Sequence, residues 1–174
     1  WNCEKSHMLR FNQLCKILPQ KEVFSILDYG CGFGSLIEFL NYSNFHYNYT
    51  GFDISNEMVK KAKTIFLKSN FINKLGDEVY DFTIANGVFN VKLNTDEVKW
   101  KKYIIDTISE INKLSLKGFS FNALTSYSDS EYMKDYLHYA DPLELFDYCK
   151  QHFSKNVSLI HDYELYEFTI VVRK

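Results

Sequence analysis

The sequence is short of proline, of glycine and of charge of one sign. Two prolines and seven glycines in 174 residues exclude a collagen-like chain and a Pro/Gly-rich disordered one. Twenty basic against 22 acidic side chains leave a net charge of −2. No overall field therefore draws the chain to nucleic acid or to an anionic membrane. No apolar run approaches the roughly 20 residues that span a bilayer. Cysteines stand at 3, 15, 31 and 149. None forms a C-x-x-C pair and no His/Cys cluster has zinc spacing, so no metal site is expected. The first residues, Trp1-Asn2-Cys3-Glu4-Lys5, are not a basic-then-apolar secretory signal. Free thiols in a reducing, cytoplasmic setting are the expectation.

What is present is an ordinary globular share of apolar residues (46%) with an unusual number of Phe (15) and Tyr (13). The length suits one domain over 1–174. Residues 8–18 read as an amphipathic helix, with Phe11, Leu14, Cys15 and Leu18 on one face and Pro19 as its stop. Strands are expected at 23–29, 47–52, 69–72 and 80–85, and helices at 36–40, 56–66 and 95–114. Ser55 is placed to cap the helix at 56. Lys117-Gly118 is expected to turn into a strand at 119–124. The segment 126–139 is polar and tyrosine-rich. Asp141-Pro142-Leu143-Glu144 has the composition of a helix start. Two final strands, 157–162 and 167–172, are too closely linked for anything but a hairpin, so the last should run antiparallel. Strand–helix alternation of this kind predicts an α/β fold: a three-layer Rossmann-like sandwich around a mostly parallel seven-stranded sheet.

Three of the seven glycines fall within five residues, in Asp28-Tyr29-Gly30-Cys31-Gly32-Phe33-Gly34-Ser35. They sit where a strand gives way to a helix, the place where open α/β sheets bind ligands. A dinucleotide fingerprint would put its third small residue where Ser35 stands. Asp28, two residues before the first glycine, would repel a pyrophosphate at the helix N-terminus. A ligand without phosphate and with positive charge suits it better. S-adenosylmethionine, with its ammonium and sulfonium, is such a ligand.

Asp28-x-Gly30-x-Gly32-x-Gly34 resembles the first motif of the class I S-adenosylmethionine-dependent methyltransferases. Asp53 follows Gly32 by 21 residues, at the end of the next strand. Tyr80-Asp81-Phe82-Thr83-Ile84-Ala85-Asn86-Gly87-Val88 is similar to the family's fourth-strand segment. The resemblance implies that Gly30, Cys31 and Gly32 pass beneath the methionine part and that Asp53 grips the ribose hydroxyls. It further implies that Ile54 and Met58 flank the adenine, with residues near 70–72 at its border, and that Asn86 and Gly87 offer backbone groups near the amino-acid end. The helix over 1–20 would cover the cofactor and 126–142 would form a lid over the acceptor.

Other residues are weighed singly. Arg10 is placed to pair with the cofactor carboxylate or to lie on a solvated helix face. His138, more open in the pattern than His161, is the candidate general base. His161 reads as structural, inside a strand. Tyr132, Tyr136 and Tyr139 share one helical face. Lys99 to Lys102 reads as a solvated helix face rather than a nucleic-acid patch. Cys31 reads as a small residue fitted against the ligand rather than a nucleophile.

The sequence thus predicts in-line methyl transfer to a small-molecule acceptor, leaving S-adenosylhomocysteine, with no nucleic-acid or membrane partner. The alternatives are a non-catalytic S-adenosylmethionine-binding regulator and an NAD-dependent oxidoreductase. Neither the oligomeric state nor the nucleophile type (oxygen, nitrogen or carbon) is legible.

Overall fold

The computed structural model describes residues 4–174. Cys3 and the start of the expected 1–20 helix lie outside the described residues. Seven strands form one sheet in the order β3-β2-β1-β4-β5-β7-β6. They are β1 (Phe24–Tyr29), β2 (Tyr47–Phe52), β3 (Asn70–Ile72), β4 (Tyr80–Ala85), β5 (Ser115–Leu124), β6 (Asn156–Ile160) and β7 (Glu167–Arg173). Pairings β1–β2, β1–β4, β2–β3 and β4–β5 are parallel, and β7 runs antiparallel to both β5 and β6.

The helices are α1 (Glu4–Leu14), α2 (Ser35–Tyr42), α3 (Asn56–Ile65), α4 (Glu97–Leu114) and α5 (Pro142–His152). Side chains alternate across a strand, and β1 sorts its own accordingly. Phe24 and Ile26 join the core under α1, α2 and α3, whereas Leu27 and Tyr29 join the core under α4 and α5. Fully buried Phe24, Phe71, Phe89, Phe119, Phe121 and Phe168 account for much of the aromatic excess. Each hides a large apolar area and packs edge-on with neighbours, as Phe24 does on Phe82 at 5.7 Å.

Side-chain caps start three helices. Ser55 accepts from the Met58 amide, Asp96 from Val98 and Lys99, and Asp141 from Leu143 and Glu144. Such caps satisfy amides that have no partner within the helix.

Four expectations are corrected. The first helix begins at Glu4 and tightens into a short 3-10 turn at Cys15–Ile17. No turn occurs at Lys117-Gly118: α4 passes directly into β5, which runs through both residues with a register shift at Tyr80/Phe82. Gly118 is needed there because a Cβ would lie 2.3 Å from the Val172 carbonyl. The tyrosines of 126–139 share no helix. The backbone there bonds outward instead: His138 N–H to Asn90 O, Ser126 N–H to Ala140 O, and Tyr136 O from Lys92 and Leu93. Pairing with another loop has overridden the helical spacing, which Ser128, Asp129 and Ser130 favoured little in any case. Finally, β6 stops at Ile160, so His161 lies past its end and is exposed.

Candidate functional site

Strand order reverses between β1 and β4, which leaves a crevice beyond their carboxyl ends. The glycine loop leaves β1 on one side of it and Asn86-Gly87 leaves β4 on the other. Gly30, Gly32 and Gly34 all take positive φ, at 76°, 53° and 86°. At Gly30 glycine is doubly required, since a Cβ would also lie 2.4 Å from Val88 Cγ1. The loop is tied to β2, with the Gly30 and Cys31 amides both donating to Phe52 O, at 2.8 and 2.9 Å.

Two carboxylates frame this loop. Asp53 accepts from the Gly32 amide through Oδ2 and from the Ser55 amide through Oδ1, each at 2.9 Å. A carboxylate has about four acceptor positions, so both oxygens retain room for donors from a ligand. Asp28 lies beneath the loop and is 3% exposed. The Tyr49 hydroxyl donates to its Oδ2 at 2.7 Å. Burial pushes the Asp28 carboxyl up to about 7, Tyr49 opposes that rise, and the Asp53 charge adds to it. Burial and the same two aspartates hold the Cys31 thiol neutral. A thiol that resists ionisation is a poor nucleophile.

Across the crevice, the Gly87 amide donates to Asn122 Oδ1 at 2.7 Å. Asn122 Nδ2 donates to Glu167 Oε2 at 2.7 Å. Glu167 in turn holds Arg10, whose Nε donates to both carboxylate oxygens at 2.8 and 2.9 Å. Arg10, Asn122 and Glu167 are all buried. The guanidinium expected at a ligand carboxylate is therefore committed to β7. The Gly87 amide, expected at the amino-acid end, is committed to β5. Asn86 Oδ1 lies buried without a partner.

Two recesses meet at Gly30 and Asn86. One, of about 270 Å³, is lined by Tyr29, Phe52, Asp53, Ile54, Gly87, Val88 and Tyr103 as well. The other, of about 220 Å³, adds His7, Phe11, Asp28, Cys31, Gly32 and Phe33. Ile54 borders the first recess, but Met58, one turn into α3, lines neither. Residues 70–72 line neither as well. Tyr29 and Tyr103 wall the first recess, a role the sequence did not suggest for either.

His138 is not the open base it was expected to be. It is 3% exposed, and its Nδ1 is 2.9 Å from Glu97 Oε1. Burial lowers its pKa against the pull of Glu97. It lies in neither recess. Asn122 and Glu167 were missed. Their signals were a polar side chain inside the apolar run of β5 and an acid opening β7.

A third recess, of about 410 Å³, lies beyond the end of β5, lined by Leu124, Ser128, Lys134, Leu137 and four tyrosines: 132, 136, 139 and 166. Tyr132, Tyr136 and Tyr139 therefore share a cavity even though they share no helix.

Residues 20–121 match the methyltransferase-domain family. The Mycobacterium tuberculosis chain Rv1506c, itself assigned to the methyltransferases by name, is 47% identical over 163 residues, spanning 91% of this chain and 98% of that one. The PH0226 protein of Pyrococcus horikoshii superposes with a TM-score of 0.67 at 16% identity, covering 99% of this chain and 92% of its own. An S-adenosylmethionine-dependent methyltransferase from Clostridium acetobutylicum gives 0.63 at 15%, covering 99% and 92%. At such identities the two structures speak for the fold.

Proposed function

Because this chain belongs to the methyltransferase-domain family, we propose that it is an S-adenosylmethionine-dependent enzyme methylating a small-molecule acceptor. The observation that carries this reading is the placement of Asp28 and Asp53 on either side of one glycine loop, each bordering its own recess. The chemistry of these donors and acceptors fits the cofactor. Asp53 would take the two ribose hydroxyls, while Asp28 and the unpartnered Asn86 Oδ1 would face the ammonium. A Cβ at Gly32 would meet nothing within 4 Å, so a ligand can lie directly on the backbone there. Ile54 and Tyr103 would flank the base. No phosphate is needed to explain any of these groups, and Asp28 disfavours one.

S-adenosylmethionine, when bound, supplies a methyl group already activated by its sulfonium. The chain's own part is then positional. The glycine loop, Asp53 and the Gly87 turn hold one reactant at a set depth, and alignment of this kind can account for most of a rate enhancement. His138, buried on Glu97, is not placed to take a proton from an acceptor. The segment 126–142 closes the acceptor side as a lid, and its tyrosine-walled recess is of small-molecule scale. Cys15, Cys31 and Cys149 are free and buried, which suits a reducing cytoplasm.

Calorimetry with S-adenosylmethionine and S-adenosylhomocysteine tests the reading. Both should bind. Asp53→Ala should weaken binding by about 100-fold, the loss of two hydrogen bonds to a charged acceptor. Unchanged affinity in a folded Asp53→Ala protein would overturn the assignment.

A further inference from the structure

Tyr49 is a β2 residue that neither the glycine motif nor the acidic pair accounts for. It is buried, and its ring packs edge-on against Phe71 at 5.6 Å. Its hydroxyl donates to Asp28 Oδ2 at 2.7 Å, a contact between buried side chains on neighbouring strands. No other hydrogen bond reaches the Asp28 carboxylate from the described residues. A carboxylate with a single donor is held by that donor: it fixes which oxygen points into the sheet and leaves the other to the recess.

We infer that Tyr49 is a positioning residue for the Asp28 carboxylate, orienting it and keeping it anionic so that the recess beneath the glycine loop accepts a cationic amine. The inference rests on the cofactor reading above and adds to it the residue on which cation binding depends. The groups around the pair supply little help. Cys31 faces it from the loop as a neutral thiol, and Cys15 does so from the end of the N-terminal segment. Asp53 adds a like charge. Tyr47 lies beside Tyr49 on the same strand at 6.5 Å. His7, from α1, lines the same recess.

Removing the hydroxyl should leave the carboxyl protonated to a higher pH. A neutral buried acid is well tolerated, so Tyr49→Phe should fold. The experiment is calorimetric titration with S-adenosylhomocysteine from pH 5.5 to 9, on the unaltered protein and on Tyr49→Phe. Thermal unfolding without ligand is followed over the same range. In the unaltered protein, affinity should rise with pH and level off above about 7. In Tyr49→Phe the rise should move to higher pH, with affinity about tenfold weaker at pH 7 and nearly restored at the top of the range. Unfolding without ligand should show the same upward displacement of its pH dependence. A loss equal at every pH, or no change of profile, would overturn the inference and leave the cofactor reading standing. No binding by the unaltered protein at any pH would overturn both.

Discussion

The two sides of the crevice are held by opposite means. On the β1–β2 side the parts are close in sequence. Asp28, the glycines, Tyr49 and Asp53 fall within 26 residues, and parallel pairing of β1 with β2 brings them together. On the β5–β7 side the link from Arg10 to Glu167 joins residues 157 apart, and it reaches the site through Asn122 and the Gly87 amide. One side is a local motif that any chain with that strand–loop–helix would form. The other exists only once the whole sheet has closed. The lesson is that one wall of a crevice can be specified locally while its opposing wall depends on the global fold.

That contrast can be broken at several points. The largest effect is expected on the distant side. Glu167→Gln leaves the Arg10 charge buried beside a neutral amide and should cost about 3–5 kcal/mol of stability in urea unfolding. Replacing both partners by apolar residues should recover most of it. If Glu167→Gln alone is nearly neutral, the wall does not depend on the pair.

A smaller loss is expected on the local side. Gly30→Ala forces a non-glycine residue to a φ of 76° and a Cβ against Val88. It should cost about 2 kcal/mol, with weakened ligand binding as the second readout. An equal loss of stability with unaltered binding would show that the loop serves the fold alone.

The smallest effect is a pH dependence. The Asp28 carboxyl is raised from its ordinary value to about 7 in the folded chain. Between about 4 and 7 the folded state therefore holds a proton that the unfolded chain has released. Stability should fall as pH rises through that window and stop falling above it. Asp28→Asn should remove the decline and be the more stable protein above pH 7, by a few degrees in Tm, while binding the cofactor less well. A flat profile in the unaltered protein would place the Asp28 charge outside the energetics of folding.

Much of the local side was legible beforehand. The glycine spacing, Asp53 and the strand before Asn86 can be read because each acts within a few residues of its neighbours along the chain. The helix start at Asp141-Pro142 was legible for the same reason. The errors lie where distant backbone decides. Arg10 could be placed on a helix, but its partner on β7 could not be named. His138 read as open because the segment around it has no apolar pattern, yet bonding to the loop at Asn90 buries it. Three tyrosines of the third recess, Tyr132, Tyr136 and Tyr139, were grouped by a helical spacing, and in the structure loop pairing assembles them instead, with Tyr166 from the far hairpin as a fourth.

By itself the sequence determined the layers, the direction of the last strand and the place of the glycine loop, because periodicity, capping and glycine conformations are short-range properties. Tertiary structure alone decided which buried charges pair, which amides remain for a ligand and which histidine is closed off. Those outcomes depend on what lies opposite each group across the sheet, and that is set only when strands far apart in the chain become neighbours.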